Sequence, residues 1–539
     1  MAPGDLARCE FFDTVIVGNG PSALILSYIL HGHIPYYIGG HHDVLLDAKL
    51  KKNLNLLHLT EDLYAHFAAS LRYSTQALPV NTLLDTLIRP NADTEINPKS
   101  CVEWRYEPET AVEHVVIGDA RHAGGQWADE PVEASKDIGT LSYAEQLSLP
   151  GYSYQEHVAK RQKEHQCDFV RPSRVEVADY LRAYPKAVGI ADAVFAETKV
   201  DGVYRTKDGF MIGSLGIRCK HLVLASGTFS VNIPPPISLA PVAQLDTVQE
   251  PLLVIGSGFS AADVIISAPP TRRIIHVYQW APDKRPSPLR GCHHTAYPEY
   301  ATVYRQMKLA AITSNKTRAA KSPAARRKSS PYQNRDCTLY EGLPNAETIS
   351  VSTSPETKTA TITLRLASGE QITRSVGGLA YVVGRRGTLS FLSPTLRAEI
   401  LEHDTNNLIS GRTLRAKIEA STLEVARNVF LTGSLTGDSL IRHAVGGCVF
   451  AAGRISSVIP SAYSPDCTPS PTCSSPASDE DGDVELGLEK TSTRERTNGH
   501  ADLHLDRRTL ARSVEVAREE NRAWVGSGWW AGGLGPSTV

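Results

Sequence analysis

Two stretches of this chain place glycines where a phosphate-rich ligand needs them. The first is Gly18-Asn19-Gly20-Pro21-Ser22-Ala23, entered from the apolar run Thr14-Val15-Ile16-Val17 and left through the apolar segment Leu24 to Leu30. The second is Gly256-Ser257-Gly258-Phe259-Ser260-Ala261, entered from Leu252-Leu253-Val254-Ile255 and continued through Ala262, Val264 and Ile265. In each, the first glycine permits a tight turn. The second lets a pyrophosphate approach the backbone, and the alanine (Ala23, Ala261) leaves room for close helix–strand packing. Free amides and the positive dipole end of the following helix then favour phosphate charge. Pro21 suits the first helical position. The competing reading of either motif is a glycine turn that holds no ligand. A strand before and a helix after supply the context that dinucleotide binding requires.

The residues that follow bear on which nucleotide is held. Folds of this kind place an acid after the second strand, on the ribose. The run Ile34 to Ile38 ends in Gly39-Gly40-His41 without a carboxylate, whereas Val115 to Ile117 ends in Gly118-Asp119. Asp119 is therefore a candidate ribose ligand; the alternative is a surface Asp in a loop. After the second turn, the strand Arg273 to Tyr278 also ends without an acid, and Trp280, Lys284 and Arg285 follow. Lys284 and Arg285 would pair with a 2′-phosphate that a carboxylate repels, which favours NADPH over NADH. Exposed loop residues are the other reading of this pair. Two dinucleotide sites in one chain point to FAD at the first and NADPH at the second, with hydride passing between them.

The elements that must position these turns come from the wider pattern. A chain of 539 residues exceeds a single simple core. From Thr14 to about Pro460, strand-like and helix-like segments alternate, so the expected fold class is α/β. It would hold two nested Rossmann-like dinucleotide-binding domains. The expected boundaries are a flexible lead at 1–12, an FAD-binding domain over 13–247 and 386–460, and an NADPH-binding domain over 248–385. A basic insertion loop, 314–331, carries Lys316, Arg318, Lys321, Arg326, Arg327 and Lys328. Residues 461–539 form a low-complexity tail, rich in Ser, Pro and Thr and then acidic from Asp479 to Glu485, that buries too little apolar surface to fold alone. Within it Leu503, Leu505, Leu510, Val514, Ala517 and Trp524 have helical spacing, which reads as a transient helix or as a docking peptide for a protein partner.

Composition narrows the class further. A net charge of −2 gives no general attraction to nucleic acid or acidic membranes. Nine cysteines without a C-x-x-C pair argue against a disulfide framework, a zinc site or a redox dithiol beside a flavin. No metal is expected, because the adjacent His293 and His294 lack a matching carboxylate pair. The first residues lack the apolar core of a signal peptide, and no stretch is apolar enough to span a bilayer, so a cytoplasmic location is expected.

Further segments resemble flavin-dependent monooxygenases. Gly124-Gly125-Gln126-Trp127 resembles their G-G-x-W segment near the flavin. Arg171 to Arg174 with Val177 to Leu181 resembles the opening of a family helix, and Leu222 to Gly227, followed by Pro234 to Pro236, resembles the strand end where the chain crosses between domains. Asn428 to Gly433 resembles the last flavin-contacting strand, leading to Gly437-Asp438-Ser439. The ordered set Val17–Leu30, Leu87–Asp93, His114–Trp127, Leu253–Asp263, Tyr297–Tyr300 and Thr436–Gly453 is similar to a narrower group, the oxidative-stress-induced growth inhibitor family.

The resemblance implies FAD held by Gly18, Gly20, Pro21, Ser22, Ala23, Asp119, Gly125, Trp127, Gly227, Gly433 and Asp438. It implies NADPH at the second turn, with Gly256, Gly258, Ser260 and Ala261 as its candidate ligands and Lys284 and Arg285 added by the charge argument above, and oxygenation of a small molecule by O2 through a C4a-peroxyflavin. No catalytic side chain is singled out. Arg442 and His443 are candidates to stabilise an anionic flavin or, alternatively, packing residues. Two departures stand out: Val231 to Pro251 lacks the usual F-x-G-x-x-x-H linker, and Ser434 stands where many flavoproteins carry Asp. Asp438 would then take the ribityl contact, or cap a helix over 439–453. These departures keep open an alternative: a flavin-fold regulatory protein of growth or stress response with little or no turnover.

Overall fold

The computed structural model describes residues 11–58, 65–66, 77–90, 98–129, 137–161, 170–318, 339–354, 356–401, 408–415, 417–418 and 423–457. Most of the expected lead, most of the basic loop, residues 91–93 and the whole 461–539 tail lie outside them. All the described residues lie in one of the chain's two compact units. Its architecture is mixed α/β, built on an eight-stranded sheet with a parallel centre and antiparallel additions and on a second, four-stranded parallel sheet.

The first sheet starts with β1 (Phe11–Val17). Val15 and Ile16 in it are fully buried, as a strand covered on both faces requires. Helix α1 (Pro21–Leu30) follows at once, and every residue from Ser22 to Leu30 is buried. Gly32 ends this run at φ +93, where an added Cβ would stand 2.5 Å from the Glu107 carbonyl oxygen.

The next strand in sequence does not join the sheet. β2 (His33–Tyr37) pairs antiparallel with β3 (Val102–Tyr106) in a separate ribbon. Helices α2 (Val44–Leu50) and α3 (Pro79–Ile88) lie in the excursion between them. The place beside β1 goes to β4 (His114–Ile117), with Val17 opposite Ile117. Two features explain the exchange. Pro35 in β2 has no amide proton for the ladder of a central strand, and β4 offers four consecutive buried residues.

Helix α4 (Arg174–Val188) opens on a capping box between Ser173 and Glu176 and closes on left-handed Gly189. β5 (Val194–Phe195) then pairs outside β4. β6 (Val203–Thr206) and β7 (Gly209–Ile212) form a hairpin leading to β8 (Ile217–Leu224), which lies on the other side of β1.

After β9 (Val231–Asn232), the chain builds the second sheet from β10 (Leu252–Ile255), helix α5 (Phe259–Ser267), β11 (Ile274–Tyr278), helix α6 (Pro298–Arg318) and β12 (Tyr340–Pro344). An antiparallel sheet of β13 (Glu347–Ser354), β14 (Thr359–Arg365) and β15 (Gln371–Val376) intervenes. β16 (Gly378–Tyr381) then returns to β10, giving the all-parallel order β12-β11-β10-β16. β17 (Arg385–Thr388) pairs antiparallel with β9 and with β18 (Leu408–Ile409). Finally β19 (Glu424–Ala426) and β20 (Val429–Leu431) complete the first sheet, β20 lying parallel to β8, and α7 (Val445–Ser457) packs on α1. The second sheet is thus drawn wholly from residues between β8 and β20 of the first.

Each sheet buries a neutral histidine. His114 Nε2 meets Ser27 Oγ at 2.9 Å and its Nδ1 meets the Val112 carbonyl at 2.7 Å. His276 Nε2 meets the Gly256 carbonyl at 2.6 Å and its Nδ1 meets Tyr340 Oη at 2.8 Å. Burial pulls each pKa down from 6.5 to about 4. The unfolded chain therefore binds more protons between those two values, so stability is full above about pH 6.5 and falls as pH drops towards 4. Each histidine should cost on the order of 2 kcal/mol by pH 5. The urea midpoint is expected to fall between pH 7.5 and 5, and less steeply in a His276→Gln protein. A wild-type midpoint that holds level across this range would refute the account.

Candidate dinucleotide-binding site

The parallel registers bring four loops to one edge of the first sheet. Val17 pairs with Ile117 and with Leu224, and Leu224 pairs with Leu431. The loops beginning at Gly18, Gly118, Ala225 and Thr432 therefore leave side by side, although they come from widely separated parts of the sequence. Gly18 has φ +116, and a Cβ there would lie 2.4 Å from the Ala225 carbonyl oxygen, so only glycine fits. At Gly20 a Cβ would meet nothing within 4 Å. That glycine caps α1 in extended conformation without a side-chain cap, and Pro21 follows. Ser22 and Ala23 are buried in the first turn of the helix.

Asn19 is a residue that sequence reasoning missed. It is buried, and its Nδ2 donates to the carbonyls of Ala120 and His122, both at 3.2 Å. Its own carbonyl accepts from Gly124 N at 2.8 Å. A Cβ on Gly118 would strike its side chain at 2.3 Å, and one on Gly125 would lie 2.9 Å from Gly20 Cα. Asn19 thereby ties the first glycine turn to the loop after β4. The signal was the crowding of Gly118, Gly124 and Gly125 in that loop. Asp119 sits there, exposed, at the end of the strand beside β1. Trp127 closes the turn Gly125–Trp127 and packs partly buried against the core.

Ser434 was expected only as a departure, and the structure gives it contacts. Its Oγ accepts from Thr228 N at 3.1 Å and lies 3.3 Å from the Cβ position of Gly227, which has φ +72. It joins the loops after β8 and β20. Gly433, at φ +64, stands against Ser22, whose Oγ would be 2.5 Å from an added Cβ. Along this edge Gln126 Nε2, Ser226 Oγ and Thr432 Oγ1 are buried without a hydrogen-bond partner. Open backbone at Gly20, a helix start without a side-chain cap and three unsatisfied polar atoms fit a phosphate-bearing dinucleotide.

Asp438 has a different environment. Its carboxylate is buried and accepts from Leu78 N at 2.8 Å, Asn81 Nδ2 at 2.6 Å and Arg415 Nη1 at 3.2 Å. Asn81 Oδ1 in turn accepts from Gly447 N at 2.7 Å. This clasp holds the start of α3 against the start of α7, and any ribityl hydroxyl would compete with three donors already in place. The last helix begins at Val445, so Asp438 does not cap it. Arg442 donates to Asp85 at 2.9 and 2.5 Å, Arg89 approaches the same carboxylate at 3.4 Å, and His443 lies 3.9 Å from it. Of the two options for Arg442 and His443, these contacts favour packing.

The second turn has the same construction. Gly256 has φ +155, and its Cβ would stand 2.5 Å from the Val382 carbonyl oxygen. At Gly258 the nearest atom is Pro288 Cγ at 4.0 Å. Gly258 caps α5 without a side-chain bond, and Ser260 and Ala261 are buried in its first turn. Ser287 Oγ donates to the Ser257 carbonyl at 2.6 Å, which steadies the turn from outside. Lys284 and Arg285 are exposed in the turn after β11, and Arg285 donates to Gln279 Oε1 at 3.3 Å.

The Tyr297–Tyr300 motif links the two regions. Tyr297 Oη donates to the Leu141 carbonyl at 3.0 Å, Glu299 pairs with Arg171, and Tyr300 Oη donates to Asp263 in α5 at 2.8 Å. The Arg171 guanidinium also lies over the Tyr297 ring, 4.7 Å from its centre.

No family model matches the chain. It is homologous over most of its length to the oxidative stress-induced growth inhibitors, which bears out the narrower resemblance read from the motifs. Identity is 25% to oxidative stress-induced growth inhibitor 2 of Homo sapiens, covering 81% of this chain and 92% of that protein. It is 27% to oxidative stress-induced growth inhibitor 1 of Mus musculus, covering 83% and 95%. Similar solved structures include a flavin-containing monooxygenase from Stenotrophomonas maltophilia, with TM-score 0.45, 13% identity and coverage of 83% of this chain and 99% of that one. An ornithine hydroxylase from Pseudomonas aeruginosa has TM-score 0.44, 12% identity and the same coverage. Among the described residues, no helix is long and apolar enough to cross a membrane.

Proposed function

We propose that this homologue of the growth inhibitors is a cytoplasmic FAD-dependent, NADPH-using monooxygenase that oxygenates a small molecule with O2. Two Rossmann-like domains would be nested, the NADPH-binding one (248–385) inserted in the FAD-binding one (13–247 and 386–460). The observation that carries this reading is the convergence of four loops on one sheet edge, beside a second glycine turn of the same construction.

Gly18, Gly20, Pro21, Ser22 and Ala23 would hold the FAD pyrophosphate through backbone amides and the α1 dipole. Asp119 would accept from the ribose, while Gly125, Trp127, Gly227 and Gly433 would shape the flavin's surroundings. Asp438 would act from behind, by fixing α3 and α7. Gly256, Gly258, Ser260 and Ala261 would hold NADPH, with Lys284 and Arg285 beside its 2′-phosphate. Bound together, the two cofactors supply hydride transfer and oxygen activation. The chain's own task is to orient them and exclude water.

The test is anaerobic mixing of the purified protein with NADPH, followed by oxygen. The expected result is bound FAD, bleaching of its visible absorption, and reoxidation that consumes O2. A protein without flavin would overturn the reading. Bound flavin that NADPH does not bleach would favour a second reading, a regulatory protein of growth or stress response with little turnover. The names of the relatives favour that second reading, and a protein partner for the tail would belong with it.

A further inference from the structure

Six residues, 382–387, bridge the second glycine turn and the loop after β8, which itself packs on the first turn through the Ala225 carbonyl against Gly18. Val382 N donates to the Ile255 carbonyl at 2.9 Å, and the Val382 carbonyl oxygen crowds Gly256. Gly384 follows at φ +132, and its carbonyl accepts from Ile233 N at 3.2 Å. Arg385 and Arg386 then pair with Asn232 and Val231 across β17 and β9. Gly387 ends the bridge against the other region, where its Cβ would stand 2.4 Å from the Gly227 carbonyl oxygen. The bridge thus starts at the second turn and ends at the crossing loop of the first sheet, with two consecutive arginines in its second half.

Arg386 differs from most of the sheltered arginines; Arg272, buried as well, donates to the carbonyls of Glu250 at 3.2 Å and Thr247 at 3.3 Å. Arg89 and Arg442 share Asp85, Arg171 has Glu299, and Arg415 has Asp438. Arg386 is partly buried and makes no ion pair among the described residues; its Nη1 donates only to the neighbouring Arg385 carbonyl, at 2.8 Å. Burial lowers its pKa, and no carboxylate opposes the shift. A guanidinium stays protonated at any working pH, so a sheltered one without a counter-charge is costly unless an anion arrives. Its planar fork suits a carboxylate or phosphate.

We propose that Arg386, with Arg385 beside it, is an oxyanion-binding site on the bridge between the two glycine turns. It takes a phosphate or carboxylate group of the molecule held between them. The proposal rests on the reading that both turns hold nucleotide. Phosphate would come from NADPH, and carboxylate from the substrate.

Calorimetric titration of the full-length protein with NADP+, inorganic pyrophosphate and benzoate tests it. Arg386→Gln should weaken NADP+ and pyrophosphate at least tenfold if the group is the nucleotide's phosphate. It should weaken benzoate and spare NADP+ if the group is a substrate carboxylate. Arg386→Lys, which keeps the charge and loses the fork, should recover part of either loss. If Arg386→Gln does not fold, pyrophosphate or benzoate should still shield Arg386 of the wild-type protein from phenylglyoxal. Unchanged affinities in a folded variant, or a wild-type protein that binds no probe and gains no shielding, would overturn the site. Loss of pyrophosphate binding in a protein that NADPH does not reduce would leave the anion site standing and sink the oxygenase reading instead.

Discussion

Replacing Gly258 by Trp is expected to slow reduction of the bound flavin by NADPH at least a hundredfold, with flavin content and melting temperature close to wild type. Space decides the outcome. A Cβ at Gly258 meets no atom nearer than 4.0 Å, so the first atom of an indole side chain attaches there without a clash. It would fill the volume through which a pyrophosphate must approach the α5 amides. Gly256 offers the contrast: its backbone conformation and the 2.5 Å approach of the Val382 carbonyl mean that even Gly256→Ala should lower stability. Stopped-flow absorbance for reduction and a thermal melt for folding separate the two effects. Undiminished NADPH consumption by the Gly258→Trp protein would remove the nucleotide from this turn.

The matching pair in the first sheet is expected to separate binding from folding more sharply. Gly20→Glu adds a carboxylate where a Cβ meets nothing within 4 Å. Its negative charge would oppose the pyrophosphate at the α1 N-terminus. The purified protein should lack FAD and melt like flavin-stripped wild type. Gly18→Ala should destabilise the fold itself by roughly 2–4 kcal/mol, because left-handed strain adds to overlap with the Ala225 carbonyl. Urea unfolding of flavin-free proteins would show this difference. A Gly20→Glu protein that retained a full complement of flavin would end the assignment of the first turn.

Both turns were legible because their requirements are local: a strand end, two glycines, a small residue and a helix lie within a dozen positions. Pairings across long separations were not. The sequence shows β2 directly after α1, yet β4 takes the place beside β1, and only Pro35 hinted that β2 would be excluded. Asn19 reads as filler between two glycines until Ala120 and His122 are seen to accept from it. Asp438 was found through its resemblance to a flavin-contacting turn, but its partners Leu78 and Asn81 stand far earlier in the chain. The antiparallel sheet of β13, β14 and β15 went unread, although Ala360, Ile362 and Leu364 alternate with exposed or partly exposed neighbours in the two-residue period of a half-covered strand.

The nesting of one sheet's chain segment within the other has a consequence during synthesis. β8 ends at Leu224 and its outer neighbour β20 begins at Val429, a gap of 205 residues (429 − 224). At roughly 5–20 residues per second, a ribosome needs about 10–40 s to cross it. Throughout that interval the edge of β8 at Leu222, Val223 and Leu224 waits without its partner, an apolar strand open to other chains. Strands β10, β11, β12 and β16, at 252–381, are all made within the wait and pair among themselves. The second sheet can therefore form before the first can close, and the emerging chain depends on β20, the last of its described strands, to cover the edge of the sheet that holds β1.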